Sequence, residues 1–333
     1  MKAILLSNQN GTINRVYSES TIDILSEKTE LDKTPYKGDD IKENPEKFKD
    51  VKYIFSSWGM PPFSEEEIEK YLPNLKCIFY GAGTVQYFAR PFLKKGVRVF
   101  SAWAANAVPV AEYTLAQIIL ANKGYFVSSR FQSKGELTKA AEAMKNFCGN
   151  FETNVGIIGA GMIGKLVINM LKMLKVNVFV FDPFLPDEKA IELGVKKCDL
   201  DTLFEKCFVI SNHLANNPQT KGMIGKKQFD KIMPYATFIN TGRGAQVKED
   251  DLISLLESRP DVTAILDVTE PEPPVENSPF YSLENCILTP HIAGSWGNET
   301  HRMAEYAAEE FLRYISGEKC LYEVTEKMLE TMA

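Results

Sequence analysis

The run Asn154-Val-Gly-Ile-Ile-Gly-Ala-Gly-Met-Ile-Gly164 sets Gly159, Gly161 and Gly164 in a GxGxxG spacing directly after an apolar, strand-like stretch. Backbone amides at such a turn point outward from the start of a helix, so the chemistry it suits is the holding of a pyrophosphate. Gly159 permits the tight turn, Gly161 lets the backbone approach the ligand, and Gly164 lets the following helix, expected over 165–175, pack close. The amides of Met162 and Ile163 then face the phosphates. The spacing alone is a weak signal, and its context strengthens it: a second apolar run, VFVFD, ends in Asp182, at about the twenty-residue separation that a ribose-binding acid requires. Such an acid accepts from ribose hydroxyls and repels a 2′-phosphate. The residues that follow, Pro183 to Asp187, supply no cation to reverse that choice, so the dinucleotide expected is NAD rather than NADP.

Three more apolar runs end in chemically capable turns: Asn240-Thr-Gly-Arg-Gly244, Asp267-Val-Thr-Glu-Pro-Glu-Pro273 and Thr289-Pro-His-Ile-Ala-Gly294. In an open parallel sheet, ligands bind beyond the carboxyl ends of the strands, so these turns should converge with the glycine loop. They bring an Arg, a Glu and a His. The bland alternatives are Arg243 as an ion-pair residue, Glu272 as a turn acid between prolines, and His291 as a structural residue. Of the other histidines, His301 lies in a Glu-rich helical stretch and reads as a surface residue, while His213 ends a strand and reads as a neighbour of the cofactor. No His or Cys pair sits at ligand spacing, so no metal is expected.

The elements that must position these residues follow from the apolar pattern. The first hundred residues alternate KAILL, KYIFSS, KCIFYG and VRVFSA with charged helical segments, the signature of a parallel sheet built from βα units. Residues 27–50, dense in Lys, Glu and Asp, read as a solvated connection. After a break at Ala104-Ala105-Asn106, Val108, Ala111, Leu115, Ile118 and Ile119 recur at helical spacing, with Pro109 in the first turn and Gly124 as the stop. A second βα series starts at Phe151 and runs to Pro290, and the chain is helical again beyond it. The expectation is an α/β protein of two parallel-sheet domains: a flavodoxin-like substrate domain from 1–105 plus 298–333, and a Rossmann NAD-binding domain over 106–297. Two chain crossings between them would make a hinge.

With these motifs in view, the chain resembles the D-isomer-specific 2-hydroxyacid dehydrogenases. VAEYTLAQIIL, GAGMIG, HLANNPQTKGMI, INTGRG, LDVTEPEP and TPHIAG resemble family blocks in family order, from roughly Tyr53 to Tyr314. The resemblance implies a hydride transfer between NAD and a small 2-hydroxy or 2-oxo acid, with Arg243 binding substrate, Glu272 as the acidic partner and His291 as the general acid/base. The chemistry asks for these types. A protonated imidazole neutralises charge growing on a carbonyl oxygen, a hydrogen-bonded carboxylate orients the ring, and a guanidinium fork grips a carboxylate bidentately as Lys cannot. Asp267 resembles the acceptor of the nicotinamide carboxamide, with Thr241, Gly242 and Gly294 among the cofactor's neighbours. In Gly81-Ala82-Gly83-Thr84 the amides would meet the substrate carboxylate. The acids that the family usually places after this loop are replaced by Val85 and Phe88, and the approach to the first Rossmann strand, KNFCGNFETN, also departs from the usual pattern. Trp58, at the end of KYIFSS, is expected either in the core or as an apolar wall limiting the substrate side chain, with Trp296 completing it. The family also implies a homodimer built on the helix over 108–121.

Composition excludes other classes. A formal charge of −6 leaves no Lys/Arg excess for nucleic acid, and no unbroken apolar run of about eighteen residues points to a membrane. The N-terminal apolar run stops at Ser7, and the six cysteines form no CxxC pair, so a cytoplasmic protein with reduced thiols is expected. Two rivals stand beside the dehydrogenase: an NADH-sensing protein like the corepressors that resemble the same family, and a family enzyme acting on formate or phosphite.

Overall fold

The computed structural model describes residues 1–330 and divides into two compact units, one formed by residues 1–106 with the chain from Ser295 onward, the other by Ala107–Gly294. In the first unit β1 (Lys2–Leu6), β2 (Glu30–Tyr36), β3 (Tyr53–Ser56), β4 (Cys77–Tyr80) and β5 (Arg98–Ser101) lie parallel in the order β2-β1-β3-β4-β5. This is the doubly wound, flavodoxin-like order, in which the chain reverses direction across the sheet between β1 and β3. Every residue of β3 and β4 is buried, because helices cover both faces, and this is why their sequences are unbroken apolar runs. Phe79 stacks between Phe55 and Phe100 with centroids 5.5 and 4.9 Å away. Phe311, from the helix Glu299–Ser316, meets Phe55 and Phe79 edge-on at 5.2 and 5.4 Å, which seats that C-terminal helix on this sheet.

Residues 27–50 differ from the expected connection: they hold β2 and two short helices, Gly38–Glu43 and Pro45–Phe48. β2 is an edge strand. Among the described residues it pairs only with β1, its ladder shifts register between Ile4 and Leu5, and Tyr36 is its single buried residue. An edge strand this exposed has no apolar alternation by which to be recognised.

The second unit holds β6 (Phe151–Ile158), β7 (Lys175–Phe181), β8 (Lys196–Lys197), β9 (Val209–Asn212), β10 (Thr237–Asn240), β11 (Thr263–Leu266) and β12 (Cys286–Leu288), parallel and ordered β12-β11-β10-β9-β6-β7-β8. Counted from β6, this is the Rossmann order extended by one edge strand, and its switch point lies between β6 and β9. A last strand, β13 (Glu323–Val324), returns to the first sheet antiparallel to β5.

Two helices differ from expectation. The helix after the glycine loop runs Met162–Leu171, starting earlier because Lys165 N–H closes its first turn on Gly161 O, and Lys175 already belongs to β7. The long apolar helix spans Trp103–Asn122, so Ala104-Ala105-Asn106 is helical and Pro109 lies inside, forfeiting one main-chain bond without ending the helix. Among the described residues this is the one helix long and apolar enough to cross a membrane, although Ala111, Ile118 and Ala121 pack into the protein core.

Candidate active site

The glycine loop leaves β6 at the switch point of the second sheet. Gly159 adopts φ +91°, and a Cβ there would stand 2.9 Å from His213 O, so the turn has no room for a side chain. A Cβ on Gly164 would lie 2.0 Å from Gly159 O, so the helix start packs directly on the turn. Over Gly161 the situation is the reverse, for no protein atom lies within 4 Å of the same position. The first-turn amides of Met162, Ile163 and Gly164 have no acceptor inside the helix. An open cradle with outward amides fits a pyrophosphate. At the end of β7, Asp182 Oδ2 accepts from Ala160 N–H at 2.8 Å and Oδ1 accepts from Phe184 N–H at 2.8 Å. The acid is thus tied to the loop, and each oxygen keeps a lone pair for a ribose hydroxyl.

His213, the expected cofactor neighbour, follows β9. It is buried, one ring nitrogen meets Ser211 Oγ at 2.9 Å and the other Thr241 Oγ1 at 3.3 Å. Burial pushes its pKa down to about 3, so the ring is neutral and braces Thr241 from behind. Thr241 also reaches Thr114 Oγ1 at 3.5 Å.

The turn after β10 is held by polar residues whose importance the sequence did not disclose. Asn212 Nδ2 donates to Asn240 Oδ1 at 2.9 Å and Gln246 Oε1 at 2.6 Å, and Gln246 Nε2 donates to Leu214 O at 2.7 Å. Asn240 Oδ1 accepts from Gly242 N–H, and Gln246 Oε1 accepts from Arg243 N–H, at 3.1 Å each. All three side chains are buried. The available signal was a polar residue ending each apolar strand, VISN and TFIN, with Gln three positions beyond Arg243. Arg243 Nη1 donates to Gly242 O at 2.7 Å. Burial lowers the guanidinium's pKa from its ordinary value while the charge of Glu272 opposes the shift, so the cation and this carboxylate feel each other.

The turns after β11 and β12 interlock. Asp267, 2% exposed, accepts from Thr289 Oγ1 at 2.6 Å and Ile292 N–H at 2.8 Å through Oδ1, and from Ala293 N–H at 2.9 Å through Oδ2. Its own carbonyl accepts from His291 N–H at 3.1 Å. His291 is held in this clasp at φ +54°, a left-handed conformation that side chains rarely adopt. The carboxylate expected to meet a carboxamide therefore also shapes the loop that carries His291. His291 Nδ1 lies 2.6 Å from Glu272 Oε1, and both side chains remain well exposed. The segment bearing Glu272 is itself supported: a Cβ on Gly244 would sit 2.0 Å from Thr269 C, and Glu249 Oε1 accepts from Glu270 N–H at 2.8 Å. Gly294 ends this unit.

In the first unit the Gly81–Thr84 loop follows β4. Ser57 Oγ donates to Gly81 O at 2.7 Å, and the single proton of Ser101 Oγ is shared between Ala82 O at 2.9 Å and Gly83 O at 2.5 Å. These buried hydroxyls face the loop's carbonyls, and among the described residues the amides of Ala82, Gly83 and Thr84 have no acceptor. Trp58 is half-buried against this unit's core, and Trp296 is 54% exposed.

The sequence profile of the D-isomer specific 2-hydroxyacid dehydrogenase NAD-binding domain matches residues 115–293, more than half of the chain. The chain belongs to this family. A D-3-phosphoglycerate dehydrogenase of Archaeoglobus fulgidus is 31% identical over 257 residues, covering 76% of this chain and 48% of the relative. One from Methanocaldococcus jannaschii is 29% identical over 304 residues, covering 90% and 56%. The chain thus spans about half the length of the curated relatives it matches. Among solved structures, a phosphoglycerate oxidoreductase from Rhizobium etli superposes with a TM-score of 0.79 at 21% identity over 98% of this chain and 99% of that one, a likeness that shows the fold. The matched residues 115–293 lie within the unit Ala107–Gly294 and are the family's NAD-binding domain, and the cofactor is NAD(H).

Proposed function

We propose that this dehydrogenase reduces a small 2-oxo acid to the 2-hydroxy acid, or runs the reverse reaction, with His291 as general acid/base, Glu272 as its orienting partner and Arg243 as the carboxylate clamp. The observation that carries the reading is the 2.6 Å contact between His291 Nδ1 and Glu272 Oε1, with Arg243 within electrostatic reach of the same carboxylate. The nicotinamide supplies or accepts the hydride. Arg243 would take the substrate carboxylate in a planar fork and so fix the direction of the adjacent carbonyl. As charge grows on that oxygen, His291 would give it a proton from Nε2, because Nδ1–H is donated to Glu272. Glu272 selects the tautomer and stabilises the imidazolium between turnovers. In the first unit, the amides of Ala82, Gly83 and Thr84 suit a carboxylate, which supports its reading as the substrate domain. Asp182, acidic and followed by no Lys or Arg through Asp187, supports NAD over NADP. A homodimer packed on the Trp103–Asn122 helix belongs to the same proposal.

The deciding experiment follows NADH absorbance with pyruvate, glyoxylate and larger 2-oxo acids, and NAD reduction with formate and phosphite. The expected result is turnover of at least one 2-oxo acid, and a loss of about 10²–10⁴-fold in kcat for His291→Ala with NADH affinity nearly kept. Turnover of formate or phosphite alone, or full activity without His291, refutes the assignment.

A further inference from the structure

In an open α/β sheet the ligand crevice forms where strand order reverses, beyond the carboxyl ends of the strands. The first unit has its own reversal between β1 and β3, and Arg15 and Trp58, which emerge there, are not used by the reading above. β1 leads into the short helix Thr12–Val16, which carries Arg15, and β3 leads into Ser57 and Trp58. The two exits are bound to each other: Ser7 Oγ donates to Trp58 O at 2.7 Å and Asn8 N–H to Gly59 O at 2.7 Å.

Across this junction the guanidinium of Arg15 lies over the Trp58 ring, 5.2 Å from its centre. One face of the Trp58 indole therefore meets a cation. Among the described residues no carboxylate pairs with Arg15. Its surroundings are stiff. Tyr17, two residues on, is buried and donates to Ser56 O at 2.9 Å, and Thr300 Oγ1 donates to Arg15 O at 2.9 Å. The place also adjoins the amide loop, since Val16 Cγ1 lies 3.3 Å from where a Cβ of Gly81 would be, and Ser57 Oγ holds Gly81 O. A guanidinium held over an indole at a ligand crevice, with no carboxylate partner among the described residues, suits an oxyanion, since the ring contact leaves its N–H donors for a bidentate acceptor.

We propose that Arg15, laid over Trp58, is the determinant by which this chain recognises a second anionic group, a carboxylate or a phosphate, at the end of a 2-oxo acid remote from its reacting carbonyl. This rests on the 2-oxo acid reading. The amides of Ala82–Thr84 take one anion of the substrate and Arg15 the other, so the acid must carry both.

The test compares kcat/KM for oxaloacetate, 2-oxoglutarate and phosphohydroxypyruvate with that for pyruvate and 2-oxobutyrate, in the wild-type chain and in Arg15→Gln and Arg15→Lys. The expected result is a preference of about tenfold or more for at least one dianionic acid. Arg15→Gln removes that preference, and Arg15→Lys keeps part of it because a point charge replaces the fork. The dicarboxylate and phosphate arms tell which anion is read. Calorimetric titration of D-malate, D-3-phosphoglycerate and D-lactate decides the question by affinity even where no 2-oxo acid turns over, an outcome that sinks the catalytic proposal separately. A monoanionic preference in the wild type, or a ratio that Arg15→Gln leaves unchanged in both turnover and affinity, overturns the inference.

Discussion

Replacing Asp267 by Asn tests whether the clasp around His291 is what makes that residue useful. The wild-type carboxylate accepts three hydrogen bonds from the 289–293 loop at 2.6, 2.8 and 2.9 Å while almost fully buried. Asparagine can keep one oxygen toward Thr289 and Ile292, but it must then turn its NH2 toward Ala293 N–H, donor against donor. One hydrogen bond to a charged acceptor, about 1.5–3 kcal/mol, is lost, and a buried amide is left unsatisfied at about 1–3 kcal/mol. Against this stands the cost of holding His291 at φ +54°, of order 1 kcal/mol or more, which the clasp must already overcome. A weakening of about 3 kcal/mol shifts the balance between the productive and the released loop by about 10²-fold toward release. The expectation is a fall of about 10²-fold in kcat/KM at neutral pH, carried mainly by kcat, with a lowered melting temperature. Steady-state kinetics with NADH and the preferred 2-oxo acid, beside a thermal melt, give both quantities. A variant within about threefold of wild type in kcat would show that the loop is held by its backbone contacts alone, and the reasoning would fail.

Glu249 offers a pH test. Burial raises its pKa from 4.5 to about 7, so the folded chain binds a proton there that the unfolded chain releases earlier. Its favourable contribution is therefore complete below the ordinary value and is lost as pH rises through about 7. Glu249→Gln should become more stable relative to wild type between pH 5 and 8 by about 1–2 kcal/mol, the full shift being discounted because the side chain is half-exposed. Urea unfolding at both pH values checks it, and a pH-independent difference refutes it. At the cofactor end, Asp182→Ser removes the charge that repels a 2′-phosphate, so the NADH-to-NADPH ratio of kcat/KM should fall by about tenfold or more. An unchanged ratio would mean that this carboxylate does not face the ribose.

Much of the architecture was legible in the chain because its signals are local. GxGxxG after an apolar run states its own conformation: Gly159 at positive φ and Gly164 against Gly159 O are requirements that no other residue meets. Buried parallel strands such as YIFS and CIFY announce themselves as unbroken apolar runs, and the helices between them dictate parallel pairing. Arg243, Glu272 and His291 could be named because each ends or follows such a run. What the sequence could not decide is everything that depends on which turns meet. β2 was hidden because an exposed edge strand needs no apolar face. His213 carries no mark that its ring would be buried between Ser211 and Thr241, and nothing local to Asp267 says that both its oxygens bind the loop of His291, 22 to 26 residues away. Arg15 and Trp58, far apart in the chain, become a pair only because β1 and β3 are neighbours in the sheet. Backbone conformation and burial are written in short-range composition. Hydrogen-bond partnership between side chains is set by strand order, and strand order is a property of the folded whole.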